Sequence, residues 1–250
     1  MNTVSPRVLL VRGMLAGLLA GVAAFLVAYL LGESEVDAAI AIEEAGEAAH
    51  HHAEAAPVSR ALQATAGLGT GTLLYGLALG GIAALVFCFA LGRIGRFGPR
   101  ATAALVSGGL FVTVALVPFL KYPANPPAVG DPGTVVRRTT LYLLMIALSV
   151  LLASGALILG RRLAPRLGNW NASVVAVLAF VVAVGLAYAL LPGINEVPED
   201  FPAALIWKFR LASLAIQATV WTTFGLAFGF LAERAIAPAA APKEAVQPTS

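Results

Sequence analysis

The sequence predicts an all-α fold, a polytopic membrane helix bundle, and three observations carry that prediction. The 250-residue chain is 59% hydrophobic and only 12% charged, whereas a soluble domain carries about 25% charged residues. Its mean hydropathy is +0.87. Six windows (13–32, 68–91, 101–120, 141–160, 172–191 and 211–232) are apolar and free of charged residues. Each reaches the roughly 20 residues that a helix rising about 1.5 Å per residue needs to cross about 30 Å of hydrocarbon. None alternates as a strand does, and a backbone in lipid must satisfy its own amides. Six transmembrane helices follow.

The first window follows Arg7 and Arg12 and superficially resembles a secretory signal. Its apolar run exceeds the roughly 7–15 residues of a signal core and no clean A-x-A site follows it, so it reads as a retained span. The second window contains the single cysteine, Cys88, a packed apolar residue without a disulfide partner. Glycines recur at helical packing spacing: Gly13, Gly17 and Gly21; Gly67 with Gly71; Gly76 with Gly80; Gly225 with Gly229. Such spacing lets backbones approach closely. The windows lack Asp, Glu, Lys, Arg and His altogether, which argues against an autonomous proton-coupled pump. Their polar groups are hydroxyls such as Ser149, Ser154, Thr219, Thr222 and Thr223, together with Gln217.

Charge sets the orientation. With six spans and an inside N-terminus, the inner segments hold ten Lys or Arg residues against Glu233 and Glu244, and the outer segments hold six against eleven acids. Cations are retained on the cytoplasmic side, so the molecule is N-in/C-in. Residues 1–12 form a cytoplasmic N-terminus and 13–232 the transmembrane domain. The Ala/Pro-rich residues 233–250 form a disordered cytoplasmic tail. The basic pI of 9.3 thus reflects topology and gives no reason to expect nucleic acid.

The outer loop 33–66 is acidic and holds all three histidines, His50, His51 and His52. Its alanines and glutamates favour a helix, on which Glu43, Glu47, His50, His51 and Glu54 gather along one face. Imidazole with carboxylate suits Co²⁺, Ni²⁺ or Zn²⁺. Adjacent histidines on a regular helix cannot all reach one ion, and a solvated acidic loop is the competing reading. The second outer loop has five prolines between Pro118 and Pro132, which predicts a stiff, extended cap. The third, LPGINEVPEDFP, offers Asn195, Glu196, Glu199 and Asp200 as oxygen ligands of an outer vestibule, with a rigid interfacial loop as the alternative. No G-x-S-x-G, Walker or H-E-x-x-H pattern occurs, so neither catalysis nor ATP hydrolysis is expected.

Three segments together are distinctive: SRALQATAGL, FLKYPANPPAVGDPGTVVRRTTLY and LPGINEVPEDFPAALIWKFRLASLAIQ. They resemble the CbtA family, predicted cobalt transporter subunits of bacteria, over nearly the whole chain. The resemblance implies Co²⁺ uptake linked to cobalamin supply across the bacterial inner membrane. It also implies a small, one-span, histidine-bearing partner subunit, CbtB. Its members are described with five spans, against the six windows counted here. A non-transporting scaffold and a metal sensor are the rival readings of the same features. Replacing His50, His51 and His52 by alanine is expected to lower Co²⁺ accumulation at low external metal while leaving folding intact, measured by metal content of cells at matched protein level. Unchanged uptake would remove this loop from the mechanism.

Overall fold

A computed structural model describes residues 5–50, 58–127, 129–130 and 132–236. Helix α1, Pro6–Val27, begins where the Ser5 hydroxyl accepts a hydrogen bond from the Arg7 amide, and proline occupies its first position, where a missing N–H costs nothing. It does not end at the edge of the apolar window. A π-helical turn, Ala28–Gly32, leads directly into α2, Glu33–His50. Pro6–Ala45 is thus 40 residues of continuous helix, about 60 Å long and twice the hydrocarbon thickness. The helix expected in the acidic segment is present as far as His50, as an extension of the first span.

A short α3, Arg60–Leu62, runs through a second π turn into α4, Leu68–Ala90. Next, α5, Pro99–Leu110, passes through a third π turn, Phe111–Leu116, into α6, Val117–Lys121. That turn precedes Pro118, whose ring and missing N–H break the regular ladder, and the wider turn accommodates it. The Ser149 hydroxyl donates to the Thr113 carbonyl within it. Helices α7, Val135–Leu190, and α8, Ala203–Ile236, complete the bundle, and no strand occurs among the described residues.

Five helices are long and apolar enough to cross a membrane, one fewer than the six windows. The difference lies in α7. It spans 56 residues and contains Gly168 at φ 76, ψ 159, outside helical geometry, three residues after Pro165. A Cβ on Gly160 would lie 3.1 Å from Ala176 Cβ and 3.6 Å from Ala172 O, although in a straight helix residues 160 and 176 stand about 24 Å apart. The chain therefore turns back at Gly168, and windows 141–160 and 172–191 are the two limbs of one hairpin. Met145, Leu152, Phe180 and Val184 cluster between the limbs and join Val117 and Tyr122 beside α6. The hairpin packs lightly on the rest: 11% of its apolar window is buried, against 33% for the other four helices.

The most extensive helix contact joins α1 to α4. A Cβ at Gly17 would lie 2.1 Å from Gly76 O, and one at Gly80 would lie 2.3 Å from Gly13 O. Backbone meets backbone here, as the glycine spacing predicts, whereas Gly71 faces open space. Helix α8 closes the core against α1 and α5, with Phe87, Trp221, Phe224 and Phe228 at its centre. A smaller cluster of Ala39, Val129, Phe201, Leu205 and Ile206 seats α2 and two loops on the start of α8. The two ends differ in chemistry: Arg100 pairs with Glu233 at one, and Arg60 pairs with Glu33 and Asp37 at the other.

Gly17→Leu is expected to destabilise the bundle by about 1–3 kcal/mol or more through overpacking, read as a lowered unfolding midpoint in detergent. Gly71→Ala, with open space around it, should be neutral or slightly stabilising.

Candidate functional site

At the acidic end a cavity of about 620 Å³ lies between the 115–125 segment, the first limb of α7, residues 194–197 and α8. Its walls follow from local sequence. Leu191 ends α7 in extended geometry, and the prolines and glycine of LPGINEVPEDFP keep the chain from continuing as helix. Three side chains fasten this segment. The Tyr122 hydroxyl donates to Pro192 O at 2.9 Å, and Lys121 Nζ donates to Tyr188 O at 2.7 Å, placing a cation at the carbonyl end of α7. The Tyr188 hydroxyl donates back to Val117 O.

The opposite wall is held by arginine. Arg210, at the base of α8, donates from Nε to Ala124 O at 3.2 Å and from Nη2 to Asn125 Oδ1 at 3.0 Å, tying down the proline loop. Arg138 reaches from α7 to Glu196, with Nε 3.2 Å from Oε2. That pair is close but misaligned, so neither atom gains a hydrogen bond from it. The guanidinium packs on Gly130, which has φ 127, and a Cβ there would lie 2.6 Å from Arg138 Nη1. Glycine at this position therefore serves both the turn and the arginine.

Deeper in, Gln217 Nε2 donates to the Tyr75 hydroxyl at 3.4 Å, while the buried Gln217 Oε1 has no partner among the described residues. The lining thus combines two guanidinium groups and one carboxylate, and its buried Arg138 Nε, Glu196 Oε2 and Gln217 Oε1 have no hydrogen-bond partner among the described residues. Burial pushes the Tyr122 phenol above its usual value of 10.0, against a smaller opposing pull from Arg137.

Of the oxygen ligands expected from sequence, Asn195 and Glu196 line this cavity. Asp200 and Glu199 sit exposed in the following turn, and Glu43 is exposed on α2, so these do not join them. Glu47 and His50 lie on the backbone of α2, while His51, His52 and Glu54 fall outside the described residues. Among the described residues no three His, Cys, Asp or Glu side chains are grouped to hold a metal. The Ser154 and Thr219 hydroxyls turn back to carbonyls of their own helices at 2.8 Å. From sequence, Arg138 and Arg210 count only as charges of the outer segments. Their position at the mouths of two spans beside proline-rich loops was the signal for a structural role.

A family model described as "Probable cobalt transporter subunit (CbtA)" matches residues 7–233. No curated protein and no solved structure matches the chain.

Because the folded Tyr122 pKa is raised, the stability this phenol contributes is present below its unfolded pKa and is lost as pH rises through the folded one. The unfolding midpoint should therefore fall in alkaline solution, and fall less in Tyr122→Phe. At neutral pH that variant should be weaker by about 1 kcal/mol for the lost hydrogen bond. Denaturation curves across pH would check both.

Proposed function

The chain belongs to the CbtA family of probable cobalt transporter subunits, and from that premise we propose that it is a multi-pass permease subunit admitting Co²⁺ through the cavity at its acidic end. The two limbs of α7 count as two crossings, giving six in all with both termini inside the bacterial cytoplasmic membrane. Charge supports this orientation, since the arginine-rich turns lie at one end and the acidic segments at the other.

In this reading the acidic extension concentrates cations electrostatically. Glu43, Glu47, His50, His51, His52 and Glu54 collect the metal, and Asp200 stands on its approach to Asn195 and Glu196. Co²⁺ linked to cobalamin supply is the cargo that the family description favours, and Ni²⁺ and Zn²⁺ share its ligand preferences. A small histidine-bearing membrane subunit, CbtB-like, is the expected partner. The observation that carries the proposal is the family match across the whole spanning core, together with a cavity on the acidic side.

Reconstitution of this chain alone in liposomes containing a metal-sensitive dye tests it. Saturable Co²⁺ entry is expected, reduced about tenfold in Glu196→Gln, the loss that removing about 1.4 kcal/mol of binding or barrier stabilisation produces. Absence of flux from the chain alone, with flux restored by a partner subunit, would make it an accessory component.

A further inference from the structure

We propose that the cavity at the acidic end is a site for an anionic phospholipid, whose phosphate lies between Arg138 and Arg210 and whose acyl chain follows α7 and α8 into the bilayer. Charge comes first. Two guanidinium groups face a single described carboxylate, so the lining keeps a net positive charge and attracts an anion. Its donors are also underused. The buried Arg138 Nε has no hydrogen-bond partner among the described residues, and Arg210 commits Nε and Nη2 to the proline loop, leaving Nη1 to donate elsewhere. Guanidinium matches phosphate closely, because its planar fork offers parallel N–H donors to two oxygens.

The order of residues along both walls selects a lipid over a free anion. Helices α7 and α8 start from the same end, and each presents arginine first, then a hydroxyl, then an apolar side chain. These are Arg138, Thr139 and Leu143 on one, and Arg210, Ser213 and Leu214 on the other. Both arginines immediately precede apolar windows, at 141–160 and 211–232, which places them at headgroup depth. A side entrance exists as well. Helix α7 packs on α6 and α8 packs on α1 and α5, with no extensive contact between α7 and α8. Along this gap Val135 and Leu143 line the cavity and remain 47% and 58% exposed. Leu143 lies within a window at lipid depth, so the cavity opens there to hydrocarbon. Its volume of about 620 Å³ falls within the roughly 300–1,000 Å³ of small-molecule sites, enough for a phosphate and the upper part of one chain. Occupied, the lining loses the net positive charge that repels a dication. The binding itself does not depend on the transport reading.

Equilibrium binding of radiolabelled dioleoyl phosphatidylglycerol to the delipidated full chain in maltoside detergent, at about 150 mM salt to screen loose attraction, tests this. One saturable site is expected. Arg138→Gln and Arg210→Gln should each weaken it about fivefold or more, whereas Arg162→Gln, at the far end of the first limb of α7, should leave it unchanged. Glu196→Gln should tighten it severalfold by removing the carboxylate beside Arg138, an effect that misfolding does not produce. Dioleoylglycerol, which lacks the phosphate, and inorganic phosphate, which lacks the chains, should each compete about a hundredfold more weakly than unlabelled lipid. Displacement by inorganic phosphate as readily as by unlabelled lipid would assign the site to the free ion and overturn the lipid. No binding, or binding indifferent to Arg138→Gln, Arg210→Gln and Glu196→Gln, would overturn the site itself. The measurement involves neither metal nor flux, so its failure is distinct from failure of the transport reading.

Discussion

The backbone contact between α1 and α4 is the constraint on which the rest of the molecule depends. In a bilayer, helices gain little from burying apolar side chains against one another, because lipid is an equally apolar neighbour. Close approach and dispersion must do that work. The interlock of Gly13, Gly17 and Gly21 with Gly76 and Gly80 brings two backbones within van der Waals range. Helix α8 then closes over this pair with aromatic residues on one side and small residues on the other, where Gly225 meets Ser107 and Gly229 meets Ala103. With that triangle set, α6, the start of α7 and the first turns of α8 are positioned, and the cavity occupies the space between them and residues 194–197.

The cavity in turn depends on helix ends more than on helices. Lys121 and Tyr122 close α6 and fasten the last turn of α7, while Arg210 at the opening of α8 holds the proline loop. Each of these residues sits just beyond an apolar window, where a long side chain reaches a carbonyl without being buried in lipid. The apolar windows contain no Asp, Glu, Lys, Arg or His, and the charged chemistry is concentrated at the boundary.

Much of the fold was legible in the sequence because apolar length is dictated by the membrane itself. Each window lies within a helix, and the Gly13–Gly21 and Gly76–Gly80 spacings fall at a real seam. Gly67 and Gly71 have the same spacing and meet no second helix, because a spacing does not say which face turns inward. The separateness of 141–160 and 172–191 was legible in composition, but the turn at Gly168 is so tight that helix resumes at once on its far side. At the site, Asn195 and Glu196 were readable as oxygen donors in a rigid loop. The pairing of Glu196 with Arg138, 58 positions earlier, was not, since only the packing of α7 beside that loop brings them together.

The unbroken passage from α1 into α2 has a mechanical consequence. Below, the rod is clamped along its glycine seam; above, its last buried residue among those described is Ala39, seated on α8. From Ala39 to His50 it continues for about three turns, or roughly 16 Å, as a cantilever. A load taken up at that tip is not absorbed by a slack tether. It is delivered as torque to the close-packed joint between α1 and α4, which makes the acidic extension and the helix seam parts of one lever.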